Sequence, residues 1–183
     1  MTAGKDSPAN FFQRAAFVWR EIPQPVICAL HGSVYGGGLQ IALGADLRFA
    51  SADCRLSVME IKWGIIPDMA ISTTLARLLP ADRAKELAWT GRVFDAVEAC
   101  QMGVVTAIHD DPSRAARETA AAIAANSPNA VRAIKRLFDE AAEMSTIQAL
   151  QLEAHLQLTL LGSEQQTEAV AANLQKRPPK FED

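Results

Sequence analysis

Three consecutive glycines, Gly36, Gly37 and Gly38, sit inside the stretch "ALHGSVYGGGLQIALGAD" (residues 29–46), between an apolar strand-like run and an apolar helix-like run. A glycine inside a helix or strand costs roughly 0.5–1 kcal/mol relative to alanine. A run of them at this junction therefore reads as strand, tight turn, helix. The first turn of a helix offers unpaired N–H groups and a positive dipole end, and glycine lets a partner approach the backbone. Two phosphate-binding readings fail on sequence. A Walker loop ends in Gly-Lys-Ser/Thr, whereas Leu39 and Gln40 follow here, and the spacing of Gly32, Gly36, Gly37 and Gly38 does not give GxGxxG. Two readings stay open: donors for an oxyanion that forms on a carbonyl during reaction, or close packing of a strand against a helix.

The neighbouring segments place this turn in a mixed α/β frame. Ser7 and Pro8 predict a helix start, and Phe11, Phe12, Ala15, Ala16, Val18, Trp19 and Ile22 give that helix a broad apolar face. "VICAL" predicts a buried strand, "LQIALGAD" a helix, and "LRFAS" and "CRLSV" two strands joined by a turn at Ala52 and Asp53. Asp68 predicts the N-cap of a helix over residues 69–79, Gly91 closes another, Asp95 caps a third that ends near Gly103, and "VVTAI" is a strand. From Pro112 the pattern is helical, in four segments punctuated by Ser127-Pro128, Ser145 and Gly162-Ser163. The expected division is an α/β core over 1–111 and a helical region over 112–183. In that region Leu150, Leu152, Leu156, Leu158, Leu160 and Leu161 fall on several faces, so its helices need partners, the core or a neighbouring subunit.

Charge and composition remove several function classes. A net charge of -3 over 183 residues, with scattered basic side chains, gives no electrostatic footprint for nucleic acid or an anionic membrane. Cys28, Cys54 and Cys100 show no CxxC spacing and lie near no histidine cluster, which reads as reduced core thiols rather than disulfides or a metal site. No apolar run nears the ~20 residues that span a bilayer. The N-terminus lacks the order of a signal peptide. The cytoplasm is the expected compartment.

Read as a whole, "PQPVICALHGSVYGGGLQIALGADLRFAS" followed by "LSVMEIKWGIIPD" resembles the crotonase (enoyl-CoA hydratase/isomerase) superfamily. "AKELAWTGRVFDAVEACQMGVVTAI" and the closing "ANLQKRPPKF" are similar to later stretches of the same family. The resemblance implies an α/β spiral of ββα units, incomplete at the N-terminus, with the helical 112–183 region used for oligomerisation into a homotrimer or hexamer. It implies an acyl-CoA substrate, with coenzyme A as part of that substrate and no separate cofactor or metal. By motif position Gly37 would be an oxyanion donor, and Gly36 and Gly38 would let the thioester reach it. Glu60 would be the acid/base. Lys176, Lys180 and Phe181 would contact the CoA nucleotide. Gln40 stands where hydratases carry their first catalytic glutamate. Glutamine takes up and releases no proton but can orient water or substrate. Asp68, eight residues beyond Glu60, matches the acid of the dienoyl-CoA isomerase branch.

Each of these has a plainer reading. Glu60 is then a solvated loop carboxylate, Asp68 a helix cap, and the Lys176–Phe181 stretch a frayed terminus. Trp63 and Met69 are candidates to shape an acyl pocket, with core packing as their plainer reading, and His31 carries no catalytic role. Members of the family have a further segment before the helix that begins here near Ser7, with early ββα units and a second oxyanion donor, and "MTAGKD" does not match it. The leading expectation is an enoyl-CoA hydratase/isomerase-type enzyme. The alternative is a non-catalytic crotonase-fold CoA-ligand binder or assembly subunit, and a phosphate-binding domain has only the glycine run in its favour.

Overall fold

Asn10, not Ser7, opens the first helix of the computed structural model, which describes residues 7–182. Helix α1 runs Phe11–Glu21. The Asn10 side chain accepts the N–H groups of Phe12 and Gln13, each at 3.0 Å, while the Gln13 side chain accepts the Asn10 N–H at 3.0 Å. This reciprocal box satisfies donors at both ends of the first turn, and Ser7 has no partner three residues on that would complete one.

Among the described residues six short strands follow in chain order: β1 (Ile27–Leu30), β2 (Ser33–Tyr35), β3 (Leu47–Ala50), β4 (Arg55–Ser57), β5 (Phe94–Asp95) and β6 (Ala107–Ile108). They form two three-stranded sheets of order β1-β3-β6 and β2-β4-β5, in which only the β4–β5 pair is antiparallel. Between them lie α2 (Gly37–Ala42), a 3-10 turn (Glu60–Trp63), α3 (Ile71–Leu78), α4 (Ala81–Thr90) and α5 (Ala96–Met102). "VICAL", "LRFAS", "CRLSV" and the helices closed by Gly91 and capped by Asp95 are thus where the sequence puts them. Strand β2 has no counterpart in the sequence reading, and "VVTAI" is extended only at Ala107 and Ile108.

The α/β architecture buries Leu39, Leu56, Val58, Leu87, Val104 and Val105 in one core cluster. Arg48 is buried beside it and donates to the carbonyls of Ala45 and Val104. Burial lowers its guanidinium pKa from the ordinary value, and the two carbonyls compensate by accepting its hydrogens. The cysteines are free thiols, and burial pushes Cys54 up to about 11.

Residues 7–22 and 26–117 make one compact unit, and 23–25 with 118–182 make another. Helix α6 (Pro112–Ala124) contains the boundary between Arg117 and Glu118. In the second unit α7 (Pro128–Ala141), α8 (Thr146–Leu160) and α9 (Glu164–Leu174) begin at Ser127, Ser145 and Ser163, each of whose hydroxyls accepts a backbone N–H. Leu152 and Leu156 are buried, whereas Phe138, Leu150 and Leu158 are exposed.

In the first unit α2 is held against α1 where Gly44 passes the Ala16 carbonyl. A Cβ at Gly44 would lie 2.1 Å from that oxygen. Gly44→Ala is expected to destabilise the chain by about 3 kcal/mol, because backbone and not a flexible side chain must move. The shift of the chemical-denaturation midpoint measures it.

Candidate active site

The glycine turn is built by β2 and β4. These strands pair in parallel with Tyr35 opposite Ser57, and the Gly36 N–H extends the pairing by donating to the Ser57 carbonyl at 2.9 Å. At Gly36 the backbone turns through φ 53°, ψ −124°, a region that only glycine enters without strain. A Cβ there would sit 3.2 Å from Glu60 Oε1. Helix α2 starts at the next residue with no side-chain cap. The N–H groups of Gly37 and Gly38 have no acceptor among the described residues. Gly38 is exposed and a Cβ on it would meet nothing within 4 Å, so the turn is open on that side.

Glu60, the first residue of the 3-10 turn, is 7% exposed and is not a solvated loop carboxylate. Its Oε1 accepts the Gln40 Nε2–H at 2.6 Å. Its Oε2 is buried with no hydrogen-bond partner. A buried polar atom left unpaired costs on the order of 1–3 kcal/mol. Gln40, 1% exposed, also accepts the Met69 N–H with its Oε1 at 2.8 Å. A backbone N–H only donates, so this contact fixes which end of the amide faces Glu60. Met69 leads back to the turn: its sulfur lies 3.1 Å from where a Cβ on Gly37 would be. Glu60, Gln40, Gly36, Gly37 and Met69 therefore form one cluster.

Asp68 does not join it. The side chain is exposed, and among the described residues no hydrogen bond links it to Glu60. Nor is it a helix cap: α3 starts at Ile71 after Ala70, whose φ is 64°. The Met69 N–H, which a cap at Asp68 would place in the first turn, is held by Gln40 instead. Trp63 is 74% exposed and so is not core. Met69 reads in sequence as a pocket-shaping or a packing side chain, and its backbone contact with Gln40 joins positions separated by 29 residues, outside the reach of local patterns.

The other substrate-binding candidates lie in the second unit. Lys176 follows the C-cap of α9, Gln175, with φ 54° and is exposed. Lys180 and Phe181 line an open cleft of about 800 Å³ together with Asn129, Ser163, Gln165 and Arg177, and Lys176 does not line it. The tail here is fastened rather than frayed. Arg177 pairs with both oxygens of Glu168 at 2.6 and 2.8 Å, and the Lys180 N–H donates to Glu168 Oε1 at 2.7 Å. Gln165 accepts from Ser127 Oγ and the Asn129 N–H, and donates to the Glu182 carbonyl at 2.7 Å.

Among the described residues no group of three potential metal-ligating side chains occurs, and no helix is long and apolar enough to cross a membrane. Parallel ββα elements around a glycine turn with a buried carboxylate define a crotonase fold, and solved structures agree. Enoyl-CoA hydratase from Bacillus anthracis superposes with a TM-score of 0.88 at 31% identity, over 93% of this chain and 67% of that one. The chain belongs to the enoyl-CoA hydratase/isomerase family, whose model matches residues 5–183. The Bacillus subtilis protein YngF, whose name assigns it to the enoyl-CoA hydratase/isomerases, is 36% identical over 170 residues, 92% of this chain and 65% of that protein. The peroxisomal Delta(3,5)-Delta(2,4)-dienoyl-CoA isomerase of Arabidopsis thaliana is 31% identical over 92% of this chain and 62% of its own length. The chain thus spans just under two thirds of these relatives.

The Arg177 guanidinium, then the Lys180 N–H, hold the Glu168 carboxyl well below its ordinary 4.5, at about 2. A lowered pKa stabilises the folded tail above the ordinary value, and the contribution fades as pH falls toward the folded one. The melting-temperature gap between the wild type and Glu168→Gln is expected to be full above about pH 5 and to close between 4.5 and about 2. Calorimetric scans across that range check it.

Proposed function

We propose that this chain acts on acyl-CoA thioesters, stabilising an enolate at the glycine turn and moving a proton with Glu60. The family's named activities make the thioester the natural substrate class, and coenzyme A enters as part of it. In this reading the Gly37 N–H donates to the thioester oxygen, and Gly36 and Gly38 supply the bare backbone that lets the oxygen approach. One such donor contributes roughly 3–4 kcal/mol to transition-state stabilisation. Within the second unit, Lys180 and Phe181 on the open cleft, and Lys176, are proposed to contact the nucleotide of a CoA ligand. Assembly into a homotrimer or hexamer through the helical region is part of the same reading, supported by exposed apolar side chains such as Phe138 and Leu158.

The observation that carries the proposal is the Glu60 carboxylate: buried, held by one oxygen, with the other left without a partner next to a helix start whose N–H groups are also open. A carboxyl oxygen in that state is ready to exchange a proton with a bound carbon acid. Asp68, exposed and apart from Glu60, is given no step.

One observation favours a second reading. Glutamine at position 40 removes the paired carboxylates of standard hydration, as a non-catalytic CoA-ligand binder would allow. The test is turnover of an enoyl-CoA by the wild type and by Glu60→Gln, with binding of butyryl-CoA followed in parallel. Loss of a general acid/base is expected to lower kcat at least ~100-fold while butyryl-CoA still binds. Undiminished turnover by Glu60→Gln would sink the proposal, and binding without turnover by the wild type would favour the binder.

A further inference from the structure

Gly37 has a single neighbour on the side where a side chain would stand. The Met69 sulfur lies 3.1 Å from the Cβ position of Gly37. Beyond the glycine's own helix and chain neighbours, no other atom of the described residues comes within 4 Å of that position. At Gly38 the corresponding position meets nothing. The open N–H groups of the turn are thus approached past free space on one side and past the half-buried Met69 on the other.

The root of that side chain is fixed. The Met69 N–H donates to Gln40 Oε1 at 2.8 Å. The next residue, Ala70, holds φ 64°, a left-handed conformation that a residue with a Cβ keeps only where its surroundings impose it. Its carbonyl accepts the N–H groups of Thr73 and Thr74 at 3.0 and 3.1 Å, and their hydroxyls at 2.9 and 3.1 Å. The Thr73 carbonyl in turn accepts from the Arg20 guanidinium at 2.8 Å. Methionine turns about three side-chain bonds, so the sulfur can swing, but the backbone that carries it is pinned on both sides.

We infer that Met69 sets which acyl groups the glycine turn admits: straight chains pass, and a branch on C2, the carbon next to the carbonyl, is turned away. The inference rests on the Gly37 donor proposed above and adds the acyl class. A thioester oxygen about 2.9 Å from the Gly37 nitrogen is two bonds from C2, so C2 stands beside Gly37 and under the sulfur. An unbranched C2 leaves a chain narrow enough for the thioether to lie along it. A methyl branch there claims the volume that the sulfur holds. With its root pinned, Met69 yields only by swinging its tip off the turn, and discrimination comes from that clash rather than from an added attraction.

The test titrates the full chain calorimetrically with two isomeric probes, butyryl-CoA and isobutyryl-CoA. They carry the same atoms, so a difference in affinity reports shape and not apolar content. The wild type is expected to bind butyryl-CoA at least ~10-fold more tightly, within the range that one misplaced carbon produces in an apolar pocket, and a smaller ratio overturns the inference. Met69→Ala is expected to cut that ratio at least ~fivefold by binding isobutyryl-CoA better. A smaller fall, or one that comes wholly from weaker butyryl-CoA binding, overturns it. Met69→Leu, close in volume, is expected to keep the ratio within ~threefold of the wild type, and lost discrimination there overturns it as well. Should Met69→Ala not fold, Met69→Val decides, with a fall of at least ~threefold expected and a smaller one overturning. Binding of butyryl-CoA without discrimination sinks this inference alone, whereas a wild type that binds neither thioester removes the acyl-CoA reading together with it.

Discussion

The Gln40 amide is the contact around which the first unit's site is arranged. Its donor end reaches the 3-10 turn at Glu60, and its acceptor end reaches the segment before α3 at Met69. The residue itself stands in α2, one helical turn past Gly36. Three separate stretches of chain are thereby referred to one buried side chain. Hydrogen bonds to a charged group in surroundings of low dielectric are among the stronger ones a protein makes, so the arrangement is stiff where a carboxylate must be aimed. Gly36 supplies the complementary constraint by leaving out the Cβ that would press on Glu60 Oε1.

Much of this was legible in the sequence, for reasons that differ by residue. The glycine run marks the turn because no other residue type would be tolerated at the φ of Gly36. Ser127, Ser145 and Ser163 announced three helix starts because a hydroxyl before an apolar-periodic segment has one favoured job. Glu60 was singled out by its motif position, and it is buried. The failures are equally local. Ser7 lost the start of α1 to Asn10, whose side chain forms a box with Gln13. Asp68 lost its cap because the backbone N–H one residue on is taken by a side chain from far along the chain. Propensity arguments see a few residues either way, and that competitor lies well outside such a window. Trp63 was misplaced for a related reason: its apolar character says only that it prefers cover, and in the chain by itself it has none.

The second unit shows a milder version of the same lesson. The closing stretch reads as a solvated end by composition, with Lys176, Arg177, Pro178, Pro179 and Lys180 in a row. Glu168, nine residues before Arg177, turns it into an ordered one by accepting two guanidinium bonds and a backbone N–H. Exposed ion pairs contribute little singly, but here the pair coincides with a second fastening through Gln165, so Lys180 and Phe181 are presented on a defined wall of the cleft.

The bridge from Gln40 to Met69 also sets what kind of sequence change the intervening 28 positions will accept. Trp63 and Ile66 along it are exposed, and the amide does not set their identity. Chain length between Glu60 and Met69 is another matter, because both ends of that short segment are held by the same amide. Divergence in this stretch is therefore confined to substitution, and the spacing itself behaves as a fixed dimension of the site.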